Sequence, residues 1–281
     1  PTIFPNERFE FFLINAVMVV TNSGSDVPTA TMVKPMIASE TFNALAIATP
    51  LSTSNLAPMT TLTAPKINNK IYLRNPENSE LGKQIVKTAI NLIYELGFEQ
   101  FTFKKLSSEI NSTEATIYRY FENKHRLLLY ILNWYWNFME FMVAYKIENV
   151  NDNKERLKII IQLLTQDLST GFGQIEYNLH FLNHIVISES SKVYLTKEVS
   201  DINKSEAFKP YKDLCAKIAE VISSYNPEYE FPRSLSTTLI ETSHHQQYFS
   251  QNLPRLTDIQ SFEKNDFTKL FLEDLLFKTL G

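Results

Sequence analysis

Residues 101–128, FTFKKLSSEINSTEATIYRYFENKHRLL, decide the fold. Thr102 is a residue that caps helix starts, and it stands before FKKLSSEI, where Leu106 and Ile110 recur four apart on one inner edge. Asn111 follows where a tight turn needs positive φ, which asparagine tolerates better than most residues. Thr113 caps a second short helix, EATIYRYF, whose inner edge is Ile117 and Phe121. Thr113, Thr116 and Tyr120 fall on another face, flanked by Tyr118 and Arg119. Asn123 then caps a further helix that opens with Lys124, His125 and Arg126. Any one short amphipathic helix of this kind is, as a rule, the solvated outside of a hairpin. The order of caps, turns and helices is far rarer than its parts.

Upstream, SELGKQIVKTAINLIYELG (residues 79–97) carries Leu81, Ile85, Ala89, Leu92 and Leu96 as one apolar stripe, and Gly97 supplies the left-handed residue that stops it. Downstream, LLLYILNWYWNFMEFMVAY (residues 127–145) is apolar nearly all round, which predicts a helix buried on several sides. Further helical stretches follow at 152–168, 175–188, 191–202, 207–224, 232–251 and 266–280, with breaks near Gly171–Gly173, Asn226–Pro227, Phe231–Pro232 and Pro254. No alternating strand pattern persists, so the predicted class is all-α.

Residues 1–65 have a different composition. They are rich in Thr, Ala, Ser, Pro and Met and hold only Arg8 and Lys34 as cations. The run Phe11–Val20 is too short to span a bilayer, and Glu7 and Glu10 beside Arg8 make a poor secretory signal. The expectation is a leader without stable packing, or an over-extended start, dispensable for the rest. That divides the chain into a leader (1–65), a helix-turn-helix domain (66–125) and a larger helical domain (126–281).

Bulk numbers exclude more than they assert. The formal net charge of −4 creates no global basic field, so any nucleic-acid contact must be local. Residues 102–126 carry five basic side chains (Lys104, Lys105, Arg119, Lys124, Arg126) against Glu109, Glu114 and Glu122. Lys66, Lys70 and Arg74 precede them, either as a basic arm reaching a groove or as solvated linker charge. Cys215 is the single cysteine, which rules out an intrachain disulfide and fits a reducing cytoplasm. Six glycines and no nucleotide fingerprint argue against a phosphate loop. Glu176, His180 and His184 share a helical face at metal-ligand spacing, and His244–His245 form a second pair. The zinc-protease pattern is missing and no nucleophile has a local catalytic context, so neither an enzyme nor a cofactor or metal is expected.

The stretch 101–128, extended to about 79–130, resembles the DNA-binding segment of the TetR family of bacterial repressors. It shares the capped Thr, the Leu of the second helix, the Thr-aliphatic-Tyr core of the third and the closing Phe-x-Asn-Lys. The resemblance implies a three-helix DNA-binding domain, a larger helical ligand-binding and dimerisation domain, and homodimers on palindromic double-stranded DNA. Carried over, Thr102, Lys104, Tyr118, Tyr120 and Lys124 hold the DNA backbone, with Thr113 and Arg119 beside them. Glu114, Ala115 and Thr116 face base edges. Three departures stand out: Asn111 where many members have Gly, Ser107 for a usual Ala, and an acidic Glu114 at the groove end. Glu114 either accepts from a cytosine amino group or assists the helix N-terminus. The family also implies a small-molecule effector in a cavity, for which Trp134, Tyr135 and Phe138, with His180 or His184 as polar anchors, are candidates; the same aromatics also read as plain core. The last two helices resemble in placement those that pair between subunits. The rival readings are a helical adaptor that binds protein and a constitutive DNA binder without a ligand.

Overall fold

Caps set the helix ends. Ser79 Oγ accepts from Gly82 N at 3.1 Å and starts α1 (Glu80–Leu96), which Gly97 ends at φ 77°. Thr102 starts α2 (Phe103–Glu109) and Thr113 starts α3 (Glu114–Tyr118). Between α2 and α3 lies Asn111, at φ 51°, in the left-handed region its place in the sequence predicts. Asn123 Oδ1 accepts from Arg126 N at 2.9 Å and opens α4 (Lys124–Ile147). The larger set comprises α5 (Asn153–Thr165), α6 (Leu179–Glu189), α7 (Ser191–Tyr194), α8 (Val199–Lys204), α9 (Lys209–Tyr225), α10 (Pro232–Asn252) and α11 (Phe267–Leu280). This is a computed structural model; it describes residues 67–166, 176–194, 199–204, 206–259 and 267–281, all within one compact unit, 62–281. The leader and the expected break at Gly171–Gly173 lie outside the described residues. Among the described residues every regular element is helical, and no helix is long and apolar enough to cross a membrane.

α4 is the central element. It buries Leu127 through Trp136 without a break and packs against α5, α6 and α9. The sequence reading of a helix apolar all round therefore holds. On α1 the stripe is wider than expected: Ile85, Val86, Ala89, Ile90 and Ile93 are buried, while Leu81, Leu92 and Leu96 sit at its margin. The difference arises because α1 is covered by both α4 and α6, so two faces are occupied.

Gly82 is buried for a steric reason. A Cβ there would lie 2.3 Å from Pro76 O, because the 3-10 turn Pro76–Asn78 crosses directly over the first turn of α1. Gly82→Ala is expected to lower stability by about 1–3 kcal/mol, read as a fall in melting temperature. A variant that melts like the wild type would mean that the turn is free to lift.

His244 lies wholly within the core of α10, its ring 5.6 Å from that of Trp136. Burial first, then the neighbouring His245, push it down to about 3. The unfolded chain takes up a proton near pH 6.5 and the folded chain does not, so stability is full above that pH and falls as pH drops toward 3. Between pH 7 and 5 this amounts to roughly 2 kcal/mol. His244→Phe should flatten that part of the pH–melting curve, and an equally steep curve in the variant would remove His244 as its cause.

Candidate nucleic-acid interface

The three-helix unit presents α2 and α3 outward from α1 and α4. Ile117, Phe121, Leu106 and Phe103 point into its core. On the opposite side Lys104, Thr113, Glu114, Ala115, Tyr118 and Arg119 are exposed, with Thr116 half-buried. Thr113 Oγ1 and Thr116 Oγ1 lie 3.0 Å apart, so the first turn of α3 shows a pair of hydroxyls. Tyr118 is 49% exposed, its ring edge-on to Phe103 at 5.0 Å. Thr102 Oγ1 accepts from Lys105 N at 3.2 Å, so it serves as a cap before any other role. Lys105 Nζ donates to Gln100 O at 2.9 Å and leaves Lys104 as the outward cation of α2.

Two side chains predicted to touch DNA are placed elsewhere. Tyr120 is 2% exposed, and its hydroxyl is bonded to Ser79 Oγ at 2.8 Å. The reason is that α3 ends at Tyr118 with Arg119 as its C-cap, so Tyr120 turns inward and no longer shares a face with Thr113 and Thr116. Lys124 Nζ donates to the carbonyls of Phe98 (3.0 Å), Glu99 (3.3 Å) and Phe101 (3.3 Å) and sits 4.6 Å from the Phe98 ring centroid. Its three protons are thus spent on the turn between α1 and α2. What remains open at this end of α4 is the helix N-terminus itself, where only Arg126 N is capped.

The segment before α1 is packed rather than a loose linker. Ile71 is buried, Leu73 N donates to Tyr120 O at 2.8 Å, and the Arg74 guanidinium lies 5.2 Å from the Tyr120 ring centroid. Arg74 is therefore held beside the end of α3.

Side chains that tie this unit to the larger bundle were not legible as site residues. Glu77 Oε1 accepts from the hydroxyls of Tyr130 (2.8 Å) on α4 and Tyr177 (2.9 Å) before α6. Burial first, and then the Glu77 charge, push both phenols up, so they stay protonated donors. Glu189, at the end of α6, accepts from Phe98 N at 3.2 Å. These partners are 53, 100 and 91 residues apart, beyond the reach of any local pattern.

The five ligand-candidate residues do not meet in one place. Trp134 stacks on Phe138 with centroids 5.8 Å apart and meets Tyr177 edge-on at 5.1 Å. Tyr135 donates to Asn183 Oδ1 at 2.8 Å. His180 and His184 instead flank Tyr94 of α1, at 5.9 and 5.0 Å, with Phe181 stacked on the same ring at 3.9 Å. Burial, then His180, push His184 down. The histidines occupy the seam between α1 and α6 because the core side of α6 is taken by Leu179, Leu182, Ile185 and Val186. Glu176 is likewise drawn to Lys83, at 4.0 Å. Among the described residues no group of three or more His, Cys, Asp or Glu is arranged to hold a metal. A cavity of about 420 Å³ opens between Lys70, Asn137 and the α9 residues Lys209 and Asp213, away from the five ligand-candidate residues.

Residues 85–131 match the bacterial regulatory proteins of the tetR family. Among solved structures, a transcriptional regulator from a Rhodococcus species is similar at TM-score 0.53 and 11% identity, over 74% of this chain and 96% of that one. The fatty acid degradation regulator FadR from Bacillus halodurans is similar at TM-score 0.50 and 20% identity, over 70% of this chain and 93% of that one. Among curated proteins no sequence matches. At these identities the two structures speak for the fold, and the match to the tetR family is carried by residues 85–131, the segment that runs from α1 through the capped α2 and α3 into the first turns of α4.

Proposed function

We propose that the protein is a sequence-specific DNA-binding transcriptional regulator, a repressor released by a small apolar ligand. The observation that carries the reading is the exposed face of α2 and α3. Hydroxyls, an aromatic and free cations stand on a short helix whose other edge is fully buried. Thr113, Glu114, Ala115 and Thr116 lie at the groove end of α3, with Tyr118, Arg119 and Lys104 on flanking phosphates. The amides at the start of α4 take the phosphate assigned in sequence to the Lys124 side chain. A helical adaptor has no use for this set. The ligand enters beside Trp134, Phe138 and Tyr177, the aromatic wall closest to the Glu77 tie.

α10 and α11 form the homodimer contact. α11 buries Phe267, Leu272, Leu276 and Leu280 on one side yet leaves Leu270 and Phe271 45% and 37% exposed on another. Tyr248 of α10 is also exposed. One recognition helix reads too few base pairs for specificity, and two related by a dyad read half-sites about one helical turn apart. Sedimentation of the wild type should show a dimer at micromolar concentration, and Leu270→Glu with Phe271→Glu should shift it to monomer. A wild-type monomer on DNA would sink this part.

The DNA reading is tested on a duplex selected by the wild-type chain from a random pool. Lys104→Ala should weaken binding to all sequences alike and lower the salt slope by about one unit per subunit. Thr116→Val should change sequence preference and leave the slope as it was. Wild-type binding that ignores salt would overturn the assignment.

A further inference from the structure

The turn between α1 and α2 is gripped from two elements. From α4, Lys124 Nζ holds the carbonyls of Phe98, Glu99 and Phe101. From α6, the Glu189 carboxylate accepts from the amide of Phe98 at 3.2 Å. Glu189 is 8% exposed and stands at the last position of α6. Its other oxygen lies 2.7 Å from Lys192 Nζ, which is also 2.8 Å from Glu99. A buried carboxylate is costly unless it is paired and hydrogen-bonded, so its presence at this seam calls for a role. It belongs to the larger bundle, whereas the amide it holds begins the loop that sets where α2 starts.

We propose that Glu189 is a positioning residue for DNA binding: by fixing the Phe98 amide, the end of α6 sets the α1–α2 turn and with it the attitude of α2 and α3. This inference rests on the DNA-binding reading above. It also adds the end of α6 to the first turn of α4 as a route by which the larger domain acts on the smaller one. Lys124 grips the turn from the first turn of α4, the helix that continues the three-helix unit into the bundle, whereas Glu189 grips it from the far end of α6. Glu189 and Phe98 belong to different helical groups, so a displacement of α6 must either carry the turn along or break this bond.

Three variants separate the bond from the charge. Glu189→Gln keeps an acceptor for Phe98 N and loses the ion pair. Glu189→Asp keeps the charge and shortens the reach by one methylene. Lys192→Met leaves the bond and removes the cation. For Glu189→Asp the expectation is a fall in affinity for the selected duplex of roughly tenfold, the worth of one hydrogen bond to a charged group. The salt slope should not change, because no phosphate contact is lost. The Phe98 amide should exchange with solvent faster by a similar factor. Glu189→Gln and Lys192→Met should bind within about twofold of the wild type. Should Glu189→Asp melt lower yet bind DNA like the wild type well below its melting temperature, the residue is structural only and the proposal fails. Losses in both Glu189→Gln and Lys192→Met as large as that in Glu189→Asp would also overturn it, since the ion pair and not the amide bond would then matter. A wild type that lacks salt-dependent binding overturns the DNA reading itself, and this inference with it, a result distinct from an unaffected variant.

Discussion

The arrangement depends on how five residues, Gly97 to Phe101, leave α1. Gly97 at φ 77° breaks the helix, and the carbonyls that follow have no helical partner. A lysine from the next long helix supplies three donors to them at 3.0–3.3 Å, each a charge-assisted bond worth about 1.5–3 kcal/mol when it replaces an unmet carbonyl. The amide of Phe98 is met by a carboxylate instead. With both edges of the turn satisfied, α2 begins at one place only, and Phe98 and Phe101 are locked beneath it with essentially no exposure. The outward face of α3 follows from that placement, since α3 packs on α2 through Phe103, Leu106 and Ile117.

Local chemistry was legible in the sequence and distant chemistry was not. Caps act within three residues, so Ser79, Thr102, Thr113 and Asn123 could be assigned by position, and the demand for positive φ at Asn111 likewise. Periodicity found every long helix, because a 3.6-residue repeat survives whatever packs on it. It failed at Tyr120, where extrapolating the repeat past Tyr118 assigned a buried ring to the DNA face. It also missed half of the α1 stripe, since the wheel does not say how many neighbours a helix has.

The side chains at the seam show the same limit more sharply. Lys124 has the sequence profile of a phosphate contact, a cation just inside a capped helix. Only the fold brings the carbonyls of residues 98–101 within reach of its ammonium and spends it there. His180 and His184 have the spacing of metal ligands, yet Tyr94 and Phe181 make them part of an aromatic seam. Residue type and spacing state what a side chain can do, and partners from distant segments decide which option is taken.

Those seam contacts also set the scale of any signal passing through the protein. α6 touches the three-helix unit along its whole length: Tyr177 on Glu77 just before its start, Phe181 and the histidines on Tyr94 in the middle, Glu189 on Phe98 at its end. A helix held at three points moves as a body, and its displacement cannot be absorbed by one rotamer change. An effector acts only through its different affinities for the two arrangements, typically by about 1–3 kcal/mol. One charged hydrogen bond made or lost at the end of α6 is of that same size. Under the function proposed above, the tie is therefore of the size that an effector would have to make or break.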